Sequence, residues 1–327
     1  MRLASTLLIA PAVLALAVVA VPASAAPAPT LEYTQYDVPG ADFTRLTGVT
    51  NRGVLAGSYG DEDGVHGFVD DGRGIVTVDI PGSTETTVTS INDAGTVTGS
   101  YRIGDTEHGF VRDRRGTVTV LDAPDATGGV SRATVATDIN DGGTVVGYTS
   151  VTDVDGNTVF HGFVWRHGRF TSYDAPGSST SGAPMAGTQV FGVDNAGTMV
   201  GAATYIDPDD PDFPDTHPNR GFLASRHGVE FIVDPEVPVN FCGSTEPNSL
   251  TQRGLIAGNS RNGCAPVFRA WLLDDGVYTP LEFPGATSTF VYGLDERGVA
   301  VGSWTVGINP ENGAPLGPEH GFVVTTR

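Results

Sequence analysis

The sequence predicts an all-β fold, a six-bladed β-propeller with four strands per blade. Three observations predict it. A proline marker recurs at Pro39, Pro81, Pro124, Pro176, Pro235 and Pro284. A Gly-x₃-Gly pair recurs at Gly53/Gly57, Gly95/Gly99, Gly143/Gly147, Gly197/Gly201, Gly254/Gly258 and Gly298/Gly302. The copies follow one another at roughly 42 to 59 residues, which suits one blade each with loops of varying size. Helical periodicity is absent, and Val, Thr, Ile and Phe alternate in short runs broken by 44 glycines and 22 prolines.

Taken in order, the chain opens with a signal-peptide pattern. Met1-Arg2 is a minimal basic start, Leu7 to Val21 is apolar but broken by Pro11, and Ala23-Ser24-Ala25 offers small residues for cleavage. Residues 1–25 therefore read as a secretory leader and 26–327 as a single propeller domain. No membrane span is expected once the leader is removed. Within a repeat, the second copy is the clearest. Thr87 to Asn92 and Thr96 to Tyr101 form a hairpin around Asp93-Ala94-Gly95, where glycine supplies the positive φ of a tight turn. His108 to Arg112 and Thr117 to Asp122 form the second hairpin, ended by Asp-x-Pro because proline cannot continue a ladder. The last repeat stops at His320-Gly321-Phe322-Val323, a third strand. Leu31 to Asp37 reads as a fourth strand without its predecessors, so it is expected to complete the last blade and close the ring.

Two positions repeat as apolar residues: Val49, Ile91, Ile139, Val193, Leu250 and Leu294 on the first strand, and Phe68, Phe110, Phe163, Phe222, Trp271 and Phe322 on the third. Both are expected to pack between blades. The net charge is −20, which opposes nucleic acid and anionic membranes and favours a solvated surface. Lysine is absent, so no Schiff-base or phosphate-loop lysine exists. The two cysteines, Cys242 and Cys264, fall near cross-strand register about the turn Thr251-Gln252-Arg253-Gly254. In a secreted chain they suggest one structural disulfide.

The pattern Pro-Gly, Ile-Asn-x-x-Gly-x-x-x-Gly and His-Gly-Phe resembles the extracellular HAF-repeat family, named for a His-Ala-Phe step. Here that step reads His66-Gly67-Phe68, His108-Gly109-Phe110, His161-Gly162-Phe163 and His320-Gly321-Phe322, changing to Arg220-Gly221-Phe222 and Arg269-Ala270-Trp271. The resemblance covers essentially 31–327. It implies a secreted bacterial repeat protein, propeller-like, with no settled activity.

Length variation collects in the second-to-third and fourth-to-first connections, which emerge on one face. Long loops on a rigid scaffold are where binding residues concentrate. One such loop carries Asp207, Asp209, Asp210, Asp212, Asp215 and His217; it reads first as a solvated, proline-stiffened acidic loop, and its density of hard ligands makes calcium binding the alternative. Asp153, Asp155 and Asn157 form a second candidate cation loop, although the spacing departs from an EF-hand. Asp138 stands where the other repeats carry Gly48, Ser90, Gly192, Ser249 and Gly293. It could coordinate an ion or water, or bond a backbone amide. Gly-x-Ser-x-Gly, His-Glu-x-x-His and Gly-x-Gly-x-x-Gly do not occur. The expectation is a secreted binding module for an extracellular carbohydrate, cell-wall polymer or protein. A carboxylate-based, calcium-assisted hydrolase or lyase and a structural envelope protein are the alternatives.

Overall fold

A computed structural model describes residues 30–124, 132–153, 155–179, 186–205, 219–237, 243–261, 267–307, 309 and 316–326. Among these residues there are 24 β-strands and no helix, and so no helix long and apolar enough to cross a membrane. The architecture is all-β and of propeller type, built from four-stranded antiparallel units.

The chain enters as β1 (Leu31–Tyr36). The first unit is β2 (Phe43–Val49), β3 (Leu55–Asp61), β4 (Gly64–Asp70) and β5 (Ile75–Val78). The second is β6 (Glu85–Ile91), β7 (Val97–Ile103), β8 (Thr106–Arg112) and β9 (Val118–Leu121). The third is β10 (Ala133–Ile139), β11 (Val145–Thr152), β12 (Thr158–Arg166) and β13 (Arg169–Tyr173). The fourth is β14 (Ala186–Val193), β15 (Met199–Thr204), β16 (Asn219–Ser225) and β17 (Gly228–Ile232). The fifth is β18 (Ser244–Leu250), β19 (Ile256–Arg261), β20 (Phe268–Asp274) and β21 (Val277–Leu281). The last is β22 (Ser288–Leu294), β23 (Ala300–Thr305) and β24 (His320–Thr326), against which β1 pairs from Leu31↔Thr326 to Tyr36↔Gly321.

First strands lie side by side in the order β2, β6, β10, β14, β18, β22, and β22 lies against β2. Each first strand carries a β-bulge, a register shift that leaves one residue unpaired: Thr47, Thr89, Thr137, Phe191, Asn248 and Tyr292. The bulge explains the second glycine of each Gly-x₃-Gly pair. A Cβ on Gly99 would sit 1.9 Å from the Thr87 carbonyl oxygen, and one on Gly302 would sit 1.8 Å from that of Phe290. The first glycine has a different reason, since Gly95 turns the hairpin at φ +79°.

The core lies between units. Phe68, Phe110, Phe222 and Phe322 have no solvent exposure, and Phe163 and Trp271 are nearly as buried. Phe110, for example, packs with Val88 and Ile91 of its own unit and with Ala56 and Val78 of the preceding one. Burying each such ring contributes about 1.5–3 kcal/mol. Polar joints run through the same layers. The amides of Val38, Ile80, Ala123, Ala175, Asp234 and Phe283, all at the ends of fourth strands, donate to buried threonines of the following first strands. Those threonines are Thr44, Thr86, Thr134, Thr188, Thr245 and Thr289, at 2.9 to 3.3 Å.

Substituting Gly99→Ala should force the bulge and strand β7 apart and cost about 1–3 kcal/mol. Gly104→Ala, in open space at φ +58°, should cost about 1 kcal/mol or less. Denaturant unfolding of the two variants checks the order, and an equal loss would overturn this account of the repeat.

Candidate functional site

Residues of all six first strands line one central space with two unlike ends. At one end are the tight first-to-second turns. At the other are the second-to-third and fourth-to-first connections, which are the long ones.

The turn end is laced together by side chains. The amide of Asn51 donates to Asp93 Oδ1 at 2.8 Å, that of Asp93 to Asp141 Oδ1 at 2.9 Å, and that of Asp141 to Asn195 Oδ1 at 2.8 Å. Gln252 N donates to Glu296 Oε1 and Glu296 N to Asn51 Oδ1, both at 2.9 Å. One layer deeper, bulged residues reach to the next unit. Thr47, Thr89 and Thr137 hydroxyls donate to the carbonyls of Val88, Ala136 and Val190 at 2.7 to 2.8 Å, and Asn248 Nδ2 donates to that of Val291 at 3.0 Å. Between these layers lies a polar cavity of about 100 Å³. Ligand pockets run at about 300–1,000 Å³, so this volume suits water rather than an organic ligand.

Asp138 borders that cavity. Its Oδ1 accepts from Ser90 Oγ at 2.6 Å and Ile139 N at 2.8 Å, and its Oδ2 accepts from Val193 N at 2.8 Å. Of the two roles expected for it, this geometry supplies the backbone-amide one, a clasp across three units. Burial pushes its carboxyl up, and the Ser90, Val193 and Ile139 donors oppose that shift. The glycines at equivalent positions mark close backbone approach. A Cβ on Gly192 would lie 2.7 Å from Asn248 O, and one on Gly293 would lie 2.8 Å from Thr47 O.

The long-connection end is chemically varied. Arg45 on β2 pairs through Nε and Nη2 with Glu319, at 2.9 and 2.8 Å, and its guanidinium lies 5.7 Å from the centre of the Tyr292 ring. Ser303 donates a short hydrogen bond to the same carboxylate. Glu107 accepts from Ser100 Oγ at 2.7 Å, with Arg102 at 3.7 Å. Glu246 on β18 lies near enough for its charge to act on Tyr148 and Tyr292. Burial raises its carboxyl, and a hydrogen bond from Ser244 and the charge of Arg261 temper the rise. Tyr148 is pushed up to about 12, first by burial and then by the charges of Glu107 and Glu246. Tyr292 is raised by burial, which the positive charge of Arg45 opposes while Glu319 and Glu246 add to it. Tyr148 meets Phe191 edge-on at 6.5 Å, and Phe290 lies parallel to Tyr292 at 6.1 Å. These groups gather as one cluster of carboxylates, arginine and aromatic faces at the long-connection end, the funnel of the molecule.

The expected loop residues fall elsewhere. Asp207, Asp209, Asp210, Asp212, Asp215 and His217, and both Cys242 and Cys264, lie outside the described residues. Asp153 spends its oxygens on its own turn. Oδ1 accepts from the amides of Asp155 and Asn157 at 3.0 and 2.8 Å, and Oδ2 from Asn157 Nδ2 at 3.3 Å. Those donors, Asn157 first, lower its carboxyl. Among the described residues no group of three or more His, Cys, Asp or Glu is placed to hold a metal ion.

The repeated histidines pair with the aspartates of the Asp-x-Pro steps. His66, His108, His161 and His320 meet Asp79, Asp122, Asp174 and Asp37 through Nδ1, at 3.0, 2.7, 3.0 and 3.0 Å. His66 also meets Asp61 at 3.2 Å through Nε2. Its pKa is raised. Burial opposes that rise, and the Asp79 and Asp61 carboxylates outweigh burial.

Sequence reasoning missed the funnel. Its signal is a first-strand position where the repeat is not kept: Arg45, Thr87, Val135, Gln189, Glu246 and Phe290 occupy equivalent sites two residues before each bulge. Residues flanking that position repeat faithfully, so its variation is free for function.

No protein-family model and no curated protein matches the chain. Among solved structures, it is similar to virginiamycin B lyase from Staphylococcus aureus, at 11% identity over 90% of this chain and 100% of that one, TM-score 0.44. It is also similar to the β-propeller domain of the Trilobed protease from Pyrococcus furiosus, at 8% identity over 87% and 97%, TM-score 0.45. A third is a gluconolactonase from Xanthomonas campestris, at 12% identity over 88% of each chain, TM-score 0.44. Likenesses of this size carry nothing about activity, and the propeller description rests on the chain's own strand pairings.

Two outcomes are expected of this geometry. Asp138→Asn leaves one of three donors without an oxygen and should cost about 1–3 kcal/mol, read by denaturant unfolding. For His66 the sign follows from its raised pKa. Its pairing stabilises fully below the unfolded value of 6.5 and is lost as pH rises through the higher folded value. The stability gap between wild type and His66→Gln should therefore be wider at about pH 5.5 than at about pH 8. A gap independent of pH would contradict the pairing.

Proposed function

We propose that this chain is a secreted binding module on a closed six-bladed propeller, taking an extracellular polymer into the funnel at the long-connection end. One observation carries this reading: the only varied, chemically rich ring among the described residues faces the axis at the end where the long connections emerge. The turn end is closed by reciprocal hydrogen bonds and leaves room only for water-sized guests. Closure of the ring is supported by the β1–β24 pairing, by the packing of β2 on β22, and by the Glu296–Asn51 bond. The secretory leader pattern, the HAF-like motif and the acidic, lysine-free composition support an extracellular setting. The acidic loop around Asp207 to Asp215 adds calcium as a candidate ligand at that end.

A second reading is a carboxylate-based hydrolase or lyase acting on an extracellular carbohydrate. It is favoured by Glu246, whose burial raises its carboxyl toward the range a general acid needs.

Co-sedimentation of the mature protein with microcrystalline cellulose, chitin and purified peptidoglycan tests the binding reading. Pelleting with at least one polymer is expected, weakened about fivefold or more by Gln189→Ala, since that side chain bonds Tyr148 in the funnel. Protein that stays in the supernatant with all three polymers, or a Gln189→Ala variant that binds as wild type, overturns it. Release of reducing ends from the bound polymer would select the hydrolase reading.

A further inference from the structure

We infer that the third-to-fourth turns of the second, third and fourth units form a basic arc that binds an anionic polysaccharide, one carrying sulfate or carboxylate groups along its length. The arc lies at the turn end, away from the funnel, so the inference does not rest on the binding reading above.

The placement follows from the topology. Strands alternate in direction within a unit, so its third-to-fourth turn emerges at the same end as its first-to-second turn. In the second unit the two meet: a Cβ on Gly95 would lie 3.6 Å from Arg114 Cδ. The first strands β6, β10 and β14 are neighbours in that order, so the three turns follow one another along the rim. These turns are residues 112–117, 166–169 and 225–228. They carry Arg112, Arg114 and Arg115, then Arg166 and Arg169, then Arg226, with His167 and His227 among them. All but the half-buried Arg112 are exposed.

The charges of the arc are left over. The chain has 38 acidic residues against 18 basic ones, so carboxylates are in excess. Arg45, Arg102 and Arg297 each take one. None of the six arginines of the arc forms a salt bridge among the described residues. The one acid of these turns, Asp113, uses Oδ1 on the amides of Arg115 and Thr117, at 2.9 and 2.8 Å, and its charge reaches Arg115. Arg166 and Arg169 stand directly opposite each other across their hairpin. Like charges so placed repel and weaken the strand pair. Turn geometry does not call for them. That hairpin turns through His167 at φ +50° and Gly168 at φ +77°. The fifth unit makes the same two-residue turn with Asp275 at φ +45° and Gly276 at φ +79°, between Asp274 and Val277. Basic residues in the third unit therefore serve something other than the turn. An anion between two guanidinium forks offsets their repulsion.

The flanking turns set the shape of the partner. The first unit turns on Asp70 and Asp71, and the fifth on Asp274 and Asp275. A flat anionic surface such as a lipid bilayer would meet those carboxylates along with the arginines. A linear chain can follow the arc alone. Duplex nucleic acid is stiff over about 150 base pairs and bends along so small a rim only at a cost. Single-stranded nucleic acid calls for aromatic platforms, and these turns hold no Phe, Tyr or Trp. The net charge of −20 does not bar the approach. It is screened beyond roughly 8 Å at physiological salt, whereas a guanidinium fork pairs sulfate or carboxylate at contact.

The test is calorimetric titration of the mature protein at about 50 and about 200 mM salt. Heparin and polygalacturonate separate sulfate from carboxylate, and dextran is the neutral counterpart. At least one of the two anionic polymers should bind and dextran should not. Affinity should fall about tenfold or more between the two salt levels. Arg166→Ser/Arg169→Ser should weaken binding about fivefold or more, and Arg114→Ser/Arg115→Ser, one unit away, should act likewise if either variant misfolds. Arg52→Ser/Arg253→Ser removes the same charge from exposed first-to-second turns and should cost about twofold or less. Failure of both anionic polymers to bind overturns the inference. So does an equal loss in the arc and Arg52/Arg253 variants, or tighter binding to a short DNA duplex or to phosphatidylserine vesicles. Gln189→Ala should bind the anionic polymer as wild type does. A loss there would place that polymer in the funnel and overturn the arc while leaving the binding reading intact.

Discussion

The bulge in each first strand is the constraint on which the rest of the molecule depends. It turns one residue out of the ladder, and the freed side chain points along the ring instead of across the sheet. Where that residue is Thr47, Thr89, Thr137 or Asn248, it donates to the first strand of the neighbouring unit. The acceptors are carbonyls of Val88, Ala136, Val190 and Val291, which stand immediately before the bulges of those neighbours. A bulge thus presents a donor to one side and an acceptor to the other. The same kink drives a carbonyl toward the second strand and leaves room there only for glycine. Repetition of the sequence motif follows from repetition of this joint.

Departures from the joint locate the chemistry. Phe191 and Tyr292 replace the donating side chain with rings, and both lie beside the funnel. Next to Phe191, the strand β18 contains Pro247 and relies on Asn259, which exchanges two hydrogen bonds with Val291. Structural redundancy around most of the ring is what permits a few positions to stop serving it. Asp138 is the opposite case. It is an unusual residue in the repeat, yet its carboxylate is absorbed in holding three units together.

Much of the fold was legible in the chain because its causes are local. Turn glycines, Asp-x-Pro stops and the alternating apolar residues each act within a few positions, and the third-strand aromatics are buried as their spacing implied. Strand ends moved by one or two residues, as at Glu85 and Thr106, where pairing extends past the apolar run. The threonines Thr44 to Thr289 that cap the preceding fourth strands were equally repetitive but read as ordinary strand residues, because their partner is an amide in another unit. The funnel was illegible for a related reason. Arg45 and Glu319 meet across 274 positions of sequence, and no linear spacing encodes that encounter. Acidic loops drew attention through local density alone.

The pairing of Leu31 with Thr326 sets the order in which the molecule can be made. The first five units are each contiguous in the chain and can form as they emerge. The last unit needs a strand that was synthesised first. That strand must stay unpaired, with an open edge exposed, until β24 arrives. A contact of such sequence separation carries a large loop-closure entropy and forms late. Docking of β1 on β24, and with it the Arg45–Glu319 pair beside the funnel, becomes the pairing that completes the last unit.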